Sequence, residues 1–141
     1  MRRGIIACFL LLLSVPVMAG TSYEFKAKGT GAGHLRIEGS GDIEAIEPLI
    51  RDFQELEPTL SVTYVDSLTN DLYGMMQEAC ASGATVADLV FSSSADHMVK
   101  LANDGCAQPH ISPETARAPS FANWHDEVFG FSFEPAVIVY N

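Results

Sequence analysis

The sequence predicts an α/β fold, in which an open and mostly parallel sheet carries helices on both faces. Short apolar runs of strand length alternate three times with amphipathic stretches of helical spacing. Three successive strand–helix units imply parallel strands with right-handed crossovers, because a strand that returns to the same sheet in parallel needs such a connection. A proline-containing loop over residues 107–123 and two further apolar runs, at 128–133 and 136–140, follow the third unit.

The first unit pairs a strand over residues 35–39 with a helix over residues 42–57. Its apolar positions have helical spacing and are Ile43, Ile46, Leu49, Ile50, Phe53 and Leu56. Pro48 fits such a helix if the helix begins near Ala45, which puts the ring in the first turn, or if the helix is kinked.

The second and third units have clearer boundaries. Residues 60–65 alternate strictly and are rich in β-branched side chains, which predicts a strand. A helix over residues 71–82 follows and ends at Gly83, and then come a strand over 88–91 and a helix over 95–103. Asp104 and Gly105 end the last helix.

The first 19 residues have the three parts of a secretory signal peptide. Arg2 and Arg3 precede an apolar run over residues 5–13, and a small-residue cleavage site ends at Ala19. The alternative is a membrane anchor, but a run of nine residues is far shorter than the ~20 that cross a bilayer. We therefore expect a periplasmic protein whose mature chain starts with a flexible segment, residues 20–34.

Composition narrows the possible partners. The 141 residues contain 8 basic and 18 acidic side chains, a net charge of −10 without a basic cluster, so nucleic acid and anionic membrane surfaces are not expected partners.

Cys80 and Cys106 would enter an oxidising compartment, where they form a disulfide or remain two separate small buried residues.

Three polar turns are predicted at the carboxyl ends of the strands, where ligands of parallel sheets bind. They are Ser40, Gly41 and Asp42 after the first strand, residues 66–70 after the second, and Ser92, Ser93 and Ser94 after the third. Hydroxyls beside helix N-termini suit an anionic ligand. The alternative explanation is that the polar residues of these turns only cap the helices. Asp42 argues partly against an anion and suits an amino group, a hydroxyl or a metal.

Signatures of enzymes are mostly absent. The chain has no G-x-S-x-G, H-E-x-x-H or P-loop pattern, so we assign no catalytic residue, no metal ligand and no cofactor. An exported hydrolase would need a base close to a serine nucleophile, and His97 is the histidine nearest to the triple serine.

Residues 35–141 resemble the N-terminal lobe of the periplasmic solute-binding proteins of ABC importers. The likeness lies in the segment from Leu35 to Asp42, in the runs at 87–93 and 100–105, and above all in residues 135–141, Pro-Ala-Val-Ile-Val-Tyr-Asn. Within the family, the sequence is similar to the branch of ferric-iron and phosphorylated-solute binders.

The resemblance implies a bilobal protein whose two lobes close over a solute, of which this chain supplies one lobe as far as the crossover strand. It implies that Ser40 to Asp42 and Ser92 to Ser94 face the solute, which would be anionic or linked to a metal, and that an inner-membrane ABC permease receives it. Ferric binders often take a His or Glu from this lobe, whereas the first turn here offers Asp42. The alternative functions are an exported half-domain that binds a protein partner in sensing or scaffolding, and an exported hydrolase.

Overall fold

The computed structural model describes residues 20–132. The predicted signal peptide and the predicted strand over 136–140 lie outside these residues. The strands are β1 (Thr21–Phe25), β2 (Gly33–Gly39), β3 (Leu60–Asp66), β4 (Leu89–Phe91), β5 (Asn123–Trp124) and β6 (Val128–Phe129). The helices are α1 (Ile43–Leu56), α2 (Thr69–Ser82) and α3 (Ala95–Asn103), and two 3-10 turns lie at Thr115–Arg117 and Ser120–Ala122.

Four strands form the main sheet in the order β1-β3-β2-β4. Strand β2 runs parallel to β3 and to β4, and β1 is antiparallel to β3, so the predicted mostly parallel α/β fold is confirmed. Gly39 pairs with Asp66 on one side and with Phe91 on the other. The carboxyl ends of the three parallel strands therefore meet at one edge.

Helices cover both faces of this sheet, as predicted. On one face α1 buries Ile46 and Ile50 against β2 and β3, in a core cluster that also contains Phe25, Ile37, Val62 and Tyr64. On the other face α2 and α3 bring together Leu72, Met76 and Leu101, with Val90 of β4 packed against them. Apolar area removed from water on both faces stabilises the sheet.

Helix α1 begins at Ile43, so Pro48 lies in the second turn, and of the two alternatives for this proline the start near Ala45 is not the one observed. A proline cannot donate to the carbonyl four residues earlier, which here belongs to Glu44. Glu44 and Pro48 are both exposed, so water can satisfy that carbonyl and the helix continues.

The expectation of a flexible segment over residues 20–34 is wrong for both of its ends. Thr21–Phe25 forms β1, which pairs with β3 along its whole length, and Gly33 and His34 open β2. Phe25 explains the order, because its ring is buried in the core cluster. The side-chain amide of the buried Gln54 donates to the carbonyls of Phe25 and Lys26, at 3.3 and 3.1 Å.

The two cysteines form a disulfide, which the sequence left open. Cys80 lies on α2 and Cys106 follows α3, with a Cα–Cα distance of 5.3 Å. The bond joins α2 to the segment that follows α3, and these two helices pack on the same face of the sheet.

Of the predicted strand over 128–133, Val128–Phe129 forms β6 in a small hairpin, residues 130–132 are not strand, and residue 133 lies outside the described residues. Strands β5 and β6 contain two residues each, and among the described strands each pairs only with the other. His125 and Asp126 adopt positive φ in the turn, and Asn123 is bonded to Asp126 through its side chain. After β6 the chain turns toward the main sheet, where the Phe131 ring lies 5.0 Å from that of Phe91.

Candidate functional site

An open cavity of about 330 Å³ lies at the carboxyl edge of the sheet. Its walls come from the turn after β2, the start of α1, the end of β4 with the turn that follows it, and the segment after β6. The lining residues are Ser40, Gly41, Asp42, Ala45, Ile46, Phe91, Ser92, Ser93, Phe131 and Ser132. We call this space the carboxyl-edge cavity.

Five of the six predicted binding residues line the carboxyl-edge cavity. They are Ser40, Gly41, Asp42, Ser92 and Ser93. Ser94 is the residue before α3 and is not part of the lining. The turn after β3, which the sequence offered as a third polar segment, does not reach the lining either.

Hydrogen bonds hold the two serine-containing turns together although they lie 52 residues apart. The Ser40 amide donates to the carbonyl of Phe91 at 3.0 Å, which continues the pairing of β2 with β4. The Ser40 hydroxyl donates to the Ser92 hydroxyl at 3.2 Å, and Ser92 in turn accepts from the Ser94 amide at 3.1 Å. The turns therefore form one connected wall.

Tyr64 on β3 supports this wall from below, a role that the sequence analysis missed. Its side chain is fully buried, and its hydroxyl donates to the Gly41 carbonyl at 2.5 Å and accepts from the Gly41 amide at 3.1 Å. Burial raises the pKa of this hydroxyl, the hydrogen bond with Gly41 lowers it, and the carboxylates of Asp66 and Asp42 raise it further. A tyrosine at an inward position of an alternating strand was the available signal.

The two glycines around Ser40 permit these close contacts. A Cβ on Gly39 would lie 2.5 Å from the Tyr64 hydroxyl, and a Cβ on Gly41 would lie 2.9 Å from the Phe91 ring. Real Cβ atoms do not approach so closely, so the turn packs as it does because both side chains are absent.

One carboxylate lines the carboxyl-edge cavity, and two further acidic residues lie near it. Asp42 lines it, and Asp66 ends the neighbouring strand beside Gly39. Partial burial raises the pKa of Asp66, and the like charges of Asp42 and Glu44 raise it further. Asp42 and Glu44 therefore repel the Asp66 carboxylate at this edge of the sheet.

Asp42 and Ser94 occupy the N-cap positions of α1 and α3, but neither side chain makes a capping hydrogen bond. Capping was the alternative explanation for polar residues in these turns. Capping therefore does not account for the Asp42 carboxylate, which is exposed at the carboxyl-edge cavity.

Within residues 20–132, no hydrogen bond joins the serine turns to a histidine. The His97 ring lies on α3 and stacks on Tyr73 with ring centres 4.2 Å apart, and His97 is not among the residues that line the carboxyl-edge cavity. Within residues 20–132, no three His, Cys, Asp or Glu side chains are grouped so as to hold a metal ion. None of the helices in this range has the length and apolar character that crossing a membrane requires.

A solved structure resembles this fold. The chain is similar to the substrate-binding protein of an ABC transporter from Agrobacterium tumefaciens, with 36% sequence identity and a TM-score of 0.72. The chain has the fold of one lobe of a substrate-binding protein. The match covers 79% of this chain and 33% of the Agrobacterium protein, so the chain spans about a third of that protein's length. No family model and no curated protein matches the chain.

Proposed function

We propose that this chain is the solute-binding component of an ABC importer, that it captures a small solute at the carboxyl-edge cavity, and that an inner-membrane permease receives the solute. The observation that carries the proposal is the likeness to a substrate-binding protein of an ABC transporter at 36% identity. The position of the cavity supports it, because ligands of parallel α/β sheets bind beyond the carboxyl ends of the strands.

The proposal includes binding without catalysis. A serine nucleophile needs a base within hydrogen-bond reach, whereas the His97 ring stacks on Tyr73 and His97 does not line the carboxyl-edge cavity. A hydrolase is therefore less well supported. The likeness to a substrate-binding protein favours solute capture over a half-domain that binds a protein partner. The resemblance to ferric-iron and phosphorylated-solute binders stays a prediction.

The proposal also includes export to the periplasm. Residues 1–19 would be removed as a signal peptide, and residues 35–141 would form an N-terminal lobe. Expression of the full chain in a Gram-negative host, followed by mass spectrometry of the periplasmic fraction, should find a chain that starts at Gly20. An uncleaved chain that stays with the cytoplasm would contradict export.

The binding function is tested by a thermal-shift screen of the chain against phosphorylated metabolites, carboxylates, ferric chelates and amines. A solute that binds only the folded state must raise the unfolding temperature in a concentration-dependent way. We expect weak binding, with millimolar solute needed, because one lobe supplies only one wall of a two-lobed site. A screen in which no solute stabilises the chain would count against the proposal.

A further inference from the structure

The residues around the carboxyl-edge cavity bear on the charge of the solute. We propose that this cavity binds a positively charged amino group of the solute, with the Asp42 carboxylate as the residue that selects it. This inference rests on the proposed function and names the solute class that the same site accepts.

An anion would need free hydrogen-bond donors, and several donors at this site are already used by the protein. The Ser40 amide donates to Phe91, and the Gly41 amide donates to Tyr64. In the other turn the Ser94 amide donates to the Ser92 hydroxyl. These are backbone groups of the kind that cradle phosphates and carboxylates elsewhere, and here they hold the turns together.

The charges near the cavity are negative. Asp42 lines it, and Asp66 lies close enough to Asp42 and Glu44 for their negative charges to raise its pKa. The lining contains no lysine or arginine. The partial positive charge of each helix N-terminus is offset by an acid in its own first turn, Glu44 in α1 and Asp96 in α3.

Four basic side chains of the described chain are engaged elsewhere. Lys28 pairs with Glu55, Arg36 with Glu38, Arg51 with Glu47 and Lys100 with Asp104. None of these eight residues lines the carboxyl-edge cavity. A bound anion would therefore meet the Asp42 carboxylate at a lining to which no described lysine or arginine contributes.

The remaining walls suit an ammonium group. The rings of Phe91 and Phe131 both line the cavity, with their centres 5.0 Å apart. Aromatic faces attract cations through their negative π surface. The Ser40 hydroxyl donates to Ser92, so its lone pairs can accept from an ammonium group, whose three N–H groups are all donors. A carboxylate, two aromatic rings and a hydroxyl oxygen together form a site for a protonated amine.

Three small probes of nearly equal size separate the solute classes. Ethanolamine carries an ammonium group at pH 7, ethylene glycol is its neutral counterpart, and glycolate carries a carboxylate. Each is titrated into the isotope-labelled full chain at constant ionic strength, and the amide chemical shifts are followed. We expect ethanolamine to shift the amide resonances of residues 40–42 and 92–93 and to saturate them in the millimolar range. Its affinity should exceed that of the other two probes at least about threefold.

A matched pair of variants tests the role of Asp42. Asp42→Asn keeps the shape of the side chain and should weaken ethanolamine about three- to fivefold. Glu47→Gln removes the same charge from α1 at a residue that pairs with Arg51 outside the cavity, and it should leave the affinity unchanged. Equal affinity in the two variants would overturn the role of Asp42. Asp42→Asn should fold, because the Asp42 side chain makes no capping hydrogen bond to α1. The comparison of the three probes in the wild type does not depend on either variant.

The outcomes also separate this inference from the proposed function. Preferential binding of glycolate or ethylene glycol at the same amides would overturn the ammonium assignment and leave the solute-binding function in place. Absence of shifts at these amides with all three probes would overturn the ammonium assignment, and the thermal-shift screen then decides the fate of the function itself.

Discussion

Replacing Tyr64 with Phe removes one buried oxygen atom and leaves the aromatic ring in the core. That oxygen makes both hydrogen bonds that hold Gly41, at 2.5 Å to the carbonyl and 3.1 Å to the amide. Leaving a buried polar group without its partner costs about 1–3 kcal/mol. Gly41 is only half-buried, so water can recover part of this loss and we expect a destabilisation of about 1–2 kcal/mol.

Urea unfolding measures this change. With a denaturant slope of about 1.5 kcal/mol/M, the midpoint of Tyr64→Phe should fall by about 1 M. Tyr23→Phe is the matched control, because Tyr23 packs against the same core cluster and its loss of a hydroxyl should change stability by less than about 0.5 kcal/mol. The Gly41 amide should also exchange faster with solvent in Tyr64→Phe alone. Equal midpoints for the wild type and Tyr64→Phe would refute the supporting role of this hydroxyl.

Three further predictions concern the same fold. Replacing Cys80 and Cys106 by Ala should lower stability by about 3–4 kcal/mol, since the bond closes a loop of 26 residues, and a reductant should then destabilise only the wild type in urea unfolding. Asp66→Asn should stabilise the protein at pH 7 and not at pH 3. The folded-state pKa of Asp66 is raised, so wild-type stability falls as pH rises from the ordinary pKa of an aspartate to the raised one. A urea midpoint of the wild type that does not fall over this pH range would contradict the repulsion of Asp66 by Asp42 and Glu44. Gly39→Ala should cost about 1–3 kcal/mol because its Cβ meets Tyr64, whereas Gly74→Ala on α2, with open space around it, should gain up to about 1 kcal/mol; thermal unfolding showing equal effects would argue against the close contact.

Hydrophobic periodicity predicted the alternation of strands and helices, because the residues that a strand or helix buries against the sheet recur at the spacing of that element. Helix α3 lies at the predicted residues. Helix α1 begins one residue after its predicted start, and α2 begins two residues before its predicted start. Strand β1 was missed because its membership in the sheet depends on an antiparallel partner far along the chain. A five-residue segment next to several glycines carries little local signal of such a partner.

The candidate site was predicted in composition and not in contacts. Because the carboxyl ends of parallel strands meet at one edge of a sheet, the sequence predicted that Ser40 and Ser92 lie together, and a hydrogen bond joins them. Local reasoning did not find Tyr64 or Phe131, which reach the wall through tertiary packing. It also treated the backbone amides as free, whereas their partners come from other strands and turns.

The central claim is that the carboxyl-edge cavity binds the solute through its two serine turns. Isothermal titration calorimetry tests it with the solute that stabilises the chain most in the thermal-shift screen. The paired change Ser40→Ala and Ser92→Ala should weaken this solute about tenfold, because each hydroxyl contributes about 0.5–1.5 kcal/mol. Ser61→Ala, whose hydroxyl bonds to Gly33 at the opposite end of the strands, should bind as the wild type does. Unchanged affinity in the paired variant, or equal losses in the paired variant and in Ser61→Ala, would contradict the assignment of this cavity as the binding site.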